Sequence, residues 1–179
     1  MEPAQYFHQQ HKELLKEAAV IAEEVTSDFF KLSPCHWRRA RFDILTLEGL
    51  RAEEISSHAL ALVAKYDGYP QDRLLRSAAF DFYRVCLQDH NILKTLEHVD
   101  VLSLFPLLLY LVTHELVHIV RFSQFLALFE APEDHKQEEE KRVHRLTQKI
   151  LAPLKVRDLP PVMQYYHERN QGGSQYAHL

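Results

Sequence analysis

Val112-Thr113-His114-Glu115-Leu116-Val117-His118-Ile119-Val120 lies inside a long apolar run from Val101 to Phe129. On a helix, residues four apart share a face, so the His114 and His118 imidazoles stand about 5–6 Å apart at Cβ. Two neutral imidazoles at that separation can grip one divalent ion. Glu115 lies about 100° round the helix from His114, near enough to polarise a water on that ion without ligating it. Leu107 to Val112 precede the trio, and Ile119, Val120 and Phe122 follow it. Polar groups are costly in such surroundings unless paired or bound. The stretch therefore reads as a buried core helix whose His, Glu and His are there for chemistry.

Working outward, 179 residues of which 46% are hydrophobic fit a single globular domain with a real core. Glycine is confined to Gly49, Gly68, Gly172 and Gly173, which leaves no phosphate-cradling loop and argues against nucleotide chemistry. A formal charge of −4 and a pI near 6.3 argue against a nucleic-acid partner. The one short basic cluster, Arg38, Arg39 and Arg41 beside Trp37, reads as a solvated patch. Cys35 and Cys86 are too few for a disulfide framework and lack CxxC spacing, so a reducing, cytoplasmic setting is expected. Residues 1 to 5 show no basic region leading into an apolar core, so no signal peptide is expected. No membrane span is expected either, because a span needs about 20 predominantly apolar residues and the run is broken by His114, Glu115, His118 and Arg121.

Apolar residues at steps of three and four predict an amphipathic helix from Gln5 to about Lys31, ended by Ser33-Pro34. Phe42 to Leu47 fits either a short strand or a lead-in to the next helix. Leu47 to Tyr66 reads as a second helix, with Ile55, Ala59, Leu62 and Tyr66 inward and Glu54 and His58 stacked along one edge. Asp67 to Pro70 is a turn by composition, and Asp72 to about Leu96 reads as a third helix. Asp100 or Ser103 caps the central helix, with Pro106 in its first turn. After the break at 131–134, Glu133 to Leu151 forms a further helix. The expected fold is all-α: about five helices around the central one, in a metal-binding domain spanning 1–158. Residues 159–179 are expected to be a C-terminal extension, its last eight or so residues mobile.

The segment Leu111 to Val120 resembles the zincin metallopeptidases, whose HExxH motif it carries with the same uncharged flanks. The resemblance covers about ten residues. It implies zinc held by His114 and His118, with Glu115 as the catalytic general base that activates a water against a peptide or other carbonyl. Tyr110, His144 or Tyr166 would then stabilise the oxyanion. Catalytic zinc takes a third protein ligand. Arg121 and Gln124 stand where the metzincin subclass has glycine and histidine, which leaves the gluzincin type, in which a later helix supplies a glutamate. Glu138 has the spacing of thermolysin-like enzymes.

Helical facing ranks the acidic run differently. Glu138 falls among Lys141, Arg142, Arg145 and Lys149, whereas Glu139 and Glu140 fall within about 60° of Val143 on the apolar side. Glu140, then Glu139, is the preferred ligand, and His144, one turn beyond Glu140, either ligates or holds its carboxylate.

Zincin peptidases bind extended substrates along an edge strand upstream of the motif, and this sequence gives almost no strand signal there. Two other classes stay open. Glu115-x-x-His118 also suits a carboxylate-bridged di-iron or di-manganese bundle, with Glu54, His58, Glu140 and His144 as partners. A non-catalytic helical adaptor or assembly factor, which acts on a protein partner, is the third. Homo-oligomerisation is compatible with each.

Overall fold

The computed structural model describes residues 5–68 and 80–171. Along the chain run α1 (Gln9–Phe30), α2 (His36–Arg39), β1 (Arg41–Leu45), β2 (Ala61–Gly68), β3 (Phe80–Leu87), α3 (Asp89–His98), α4 (Leu104–Ser123), α5 (Glu133–Leu151) and α6 (Leu159–Gln171). Two short 3-10 turns, Leu47–Gly49 and Ala52–Glu54, precede β2.

Helix α4 is the centre. Every residue from Pro106 to Arg121 is buried, the pattern of a helix enclosed on all sides rather than amphipathic. Pro106 is tolerated because first-turn amides have no helical acceptor in any case. By length and composition α4 could cross a membrane, yet 89% of its most apolar window is covered by the rest of the chain. Helix α1 lies along it, and buries Leu15, Ala18, Ala22 and Thr26. Helix α5 is antiparallel to α4: Tyr110 meets His144, His118 meets Glu140, and Arg121 meets Glu139. Helix α6 adds Leu159, Val162 and Tyr166 to the same core.

The all-α expectation is overturned by a three-stranded mixed sheet in the order β1-β3-β2, with six α-helices among the described residues. Strand β3 is central, parallel to β1 and antiparallel to β2. Ile44, Val85 and Val63 form one row across the sheet; Val85 and Val63 belong to the main core cluster and Ile44 packs against it. On the opposite face Asp43 pairs with Arg84 at 2.9 Å, and Arg84 also reaches Glu54 at 3.2 Å.

The second predicted helix is therefore two 3-10 turns, a coil and strand β2. In the third, residues 80–87 are strand β3 and only 89–98 are helical, while 72–79 and the end of the predicted turn lie outside the described residues. The reason is non-local. Gln88, Asp89 and Asn91 turn their side chains onto the coil between β1 and β2: Asp89 accepts from Leu47 N at 3.1 Å, Gln88 accepts from Ser56 N at 3.0 Å, and Asn91 donates to Ala59 O at 2.7 Å. A coil whose backbone hydrogen bonds are met by side chains has no need of a helix. The coil is thereby pinned across α4, and β2 begins beside the HExxH residues. The region at 172–179, expected to be mobile, also lies outside the described residues.

Candidate metal centre

Helix α4 presents His114 and His118 from successive turns, and α5 brings Glu140 to face them. The two Nε2 atoms are 3.2 Å apart. Glu140 Oε1 is 3.0 Å from His114 Nε2, and its Oε2 is 3.1 Å from His118 Nε2. All three ligand atoms lie within 4.8 Å of one another, and all three residues are buried. Around a tetrahedral ion with bonds near 2.05 Å, neighbouring ligand atoms stand about 3.3 Å apart. Two imidazoles and a carboxylate thus already face one point at nearly the spacing a small divalent ion imposes. The donor set, two nitrogens and one carboxylate, leaves a fourth position open.

Burial alone would raise the Glu140 pKa; the charge of His114 and the hydrogen bonds with His114, His118 and His144 outweigh it and hold the carboxyl well below the ordinary range. Glu140 is a carboxylate here. His144 sits one turn further along α5, its Nε2 3.0 Å from Glu140 Oε1 and its Nδ1 2.9 Å from the Tyr110 hydroxyl. His144 thus stands between the two groups, at ion-pair distance from the Glu140 carboxylate on one edge and sharing a hydrogen bond with the Tyr110 hydroxyl on the other. The Tyr110 ring is stacked on Tyr166 of α6, with centroids 4.2 Å apart and planes within 1°.

Glu115 borders a small cavity together with His114, Glu140, His144 and Tyr110. Its volume is about 20 Å³, room for about one water. Leu111, Tyr166 and Ala59-Leu60-Ala61, the entry to β2, complete the wall. Among the described residues β2 pairs with β3 on one side only, which makes it an edge strand of the sheet they form. Sequence reasoning found no such strand, because Leu62-Val63-Ala64 is a continuous apolar run that fits a helical spacing as well as a strand.

His114, His118, Glu140, His144 and Glu115 thus come together. Glu139 does not: both its oxygens are bonded to Arg121, one of them at 2.9 Å to Nη2. That pairing was foreseeable, since an arginine in the last turn of an otherwise apolar helix requires an acceptor. Glu138 is exposed and paired with Lys141 at 3.0 Å. Glu54 is bonded to Arg84 and Tyr66 behind the sheet, and His58 is exposed, so neither joins Glu115 and His118 in a two-metal arrangement.

The chain matches no protein-family model, no curated protein and no solved structure.

Proposed function

We propose that this chain is a zinc-dependent hydrolase acting on an extended peptide, with His114, His118 and Glu140 as the metal ligands and Glu115 as the general base. The observation that carries the reading is the convergence of three buried donors within 4.8 Å beside a one-water cavity that Glu115 also borders. A structural histidine cluster would explain the buried hydrogen bonds. It would not explain a carboxylate at the water-sized space.

Zinc bound by two histidines and a glutamate supplies Lewis acidity, which polarises a carbonyl and brings a water's pKa to about 7. Glu115 takes the proton from the attacking water and returns it to the departing amine. The Tyr110 hydroxyl orients His144, and His144 in turn fixes the carboxylate of Glu140, so neither ligand helix needs to reorganise during the reaction. Edge strand β2 supports the choice of a peptide: an extended chain laid along it gains backbone hydrogen bonds and brings its carbonyl past Ala59–Ala61 to Glu115.

The direct trial uses a defined peptide mixture. Zinc-loaded protein should cleave it, a chelator should stop cleavage, and added zinc should restore it. Cleavage that continues in chelator, or none by protein shown to hold zinc, would overturn the proposal.

A further inference from the structure

A second cavity, of about 320 Å³, opens beside His118. Its apolar lining includes Val63 of β2, Phe122 at the end of α4, Leu126, Leu128, Phe129 and Ala131. It shares His118 with the metal centre, and Val63 lies only two positions along β2 from the Ala61 that borders the small cavity. The same edge strand therefore passes both spaces.

The outer wall is held in place. Helix α4 ends with Phe125 in the left-handed region at φ 56, with the Leu126 amide donating to Arg121 O at 2.9 Å and the Phe125 amide to Phe122 O at 3.1 Å. Arg121, buried and anchored by Glu139, also donates to Leu126 O at 3.4 Å. Leu126 and Leu128 are 53% and 68% exposed, an apolar surface that nothing covers among the described residues. Helix α5 supplies the polar wall: Glu139 is engaged with Arg121 and Glu138 with Lys141, and His135, Lys136 and Arg142 complete it.

We infer that this cavity receives one aromatic or large aliphatic side chain of the substrate, next to the carbonyl being attacked, and that Phe122, Leu126, Phe129 and Ala131 set that preference. The inference rests on the metal-hydrolase reading above. The volume stands at the low end of ligand pockets, about 300 to 1,000 Å³, and so suits a single side chain better than a cofactor. A side chain seated against Val63, Phe122, Leu126 and Phe129 leaves the cationic groups Lys136 and Arg142 at the α5 wall, so the apolar part of the lining is the part an uncharged ring would fill.

Two small chelators separate the subsite from the metal. Acetohydroxamate reports the zinc alone, whereas 3-phenylpropanohydroxamate carries the same chelating head with a phenyl ring. Their dissociation constants for zinc-loaded protein, measured by calorimetry, should differ by about tenfold in favour of the phenyl probe, as expected for burying one ring. A131W, which fills the cavity, should remove most of that advantage and leave acetohydroxamate binding unchanged. L126N, at a half-exposed position where folding is not at stake, should reduce it as well. Equal affinity for the two probes in the parent, or an advantage that survives both substitutions, would overturn the subsite while leaving the metal centre standing. Protein that binds neither zinc nor acetohydroxamate would overturn the metal reading and the subsite with it.

Discussion

The Tyr110 hydroxyl and Nδ1 of His144 are 2.9 Å apart, and that contact turns the opposite edge of the imidazole toward Glu140. Tyr110→Phe keeps the ring, and with it the stacking on Tyr166, but removes the hydroxyl bonded to His144 Nδ1. Groups that orient metal ligands typically contribute about 10- to 100-fold in affinity. Zinc affinity, measured by competition with a chromophoric chelator, should fall about tenfold in Tyr110→Phe. An unchanged affinity would mean that His144 does not act on the site through Glu140.

Glu115 and the ligands are separable. Glu115→Gln preserves shape and hydrogen bonding but cannot accept the proton of an attacking water. The variant should bind one zinc per chain with the parent's affinity and show a kcat lower by about 100-fold or more. Parent-like turnover in Glu115→Gln would remove the general-base role.

The network behind the sheet gives a pH dependence of stability. Burial alone would raise the pKa of Glu54, but the bonds from the Arg51 amide, Tyr66 and Arg84, with the charge of Arg84, outweigh it and lower it below its ordinary 4.5. A carboxyl with a lower pKa folded than unfolded contributes stability that is complete above the unfolded value and lost as pH falls through the folded value. Glu54→Gln should therefore be less stable than the parent at neutral pH, by about 1–3 kcal/mol. In urea melts that gap should narrow as pH drops below about 4.5. A gap independent of pH would show that the charge of Glu54 contributes nothing.

Phe125 is 88% exposed and sits at φ 56, where a side chain costs about 1 kcal/mol relative to glycine. Phe125→Gly should raise the stability of the end of α4 by up to about that amount, read as a higher urea midpoint at unchanged slope. A loss of stability would mean that the ring makes a contact worth more than the backbone strain.

Much of the helical framework was legible because each helix announces itself through its own residues. Leu15, Ala18 and Ala22, or Val143, Thr147 and Ile150, repeat at helical spacing whatever surrounds them. The same facing logic separated Glu139 and Glu140 from Glu138, with Glu140 preferred for the His144 one turn beyond it, and the structure sets Glu140 opposite the two histidines. The sheet was not legible in that way. Ile55, Ala59, Leu62 and Tyr66 share a helical spacing by chance, and Ile55 is in fact 43% exposed. What decides the 46–60 coil is the set of side chains at Gln88, Asp89 and Asn91, more than 30 residues away, and the pairing of β2 with β3. Such pairings leave no periodic trace in either segment alone. Glu139 stayed the second choice because the need of Arg121 for an acceptor was not weighed against it.

The central claim is that His114, His118 and Glu140 hold a metal ion. Elemental analysis of the full chain, purified without added metal and then equilibrated with zinc, tests it most directly when run beside His114→Ala, Glu140→Gln and Glu139→Gln. The account predicts one zinc per chain in the parent and in Glu139→Gln, and loss of the ion in His114→Ala and Glu140→Gln. Zinc retained in full by His114→Ala and Glu140→Gln, or absent from the parent, would contradict it.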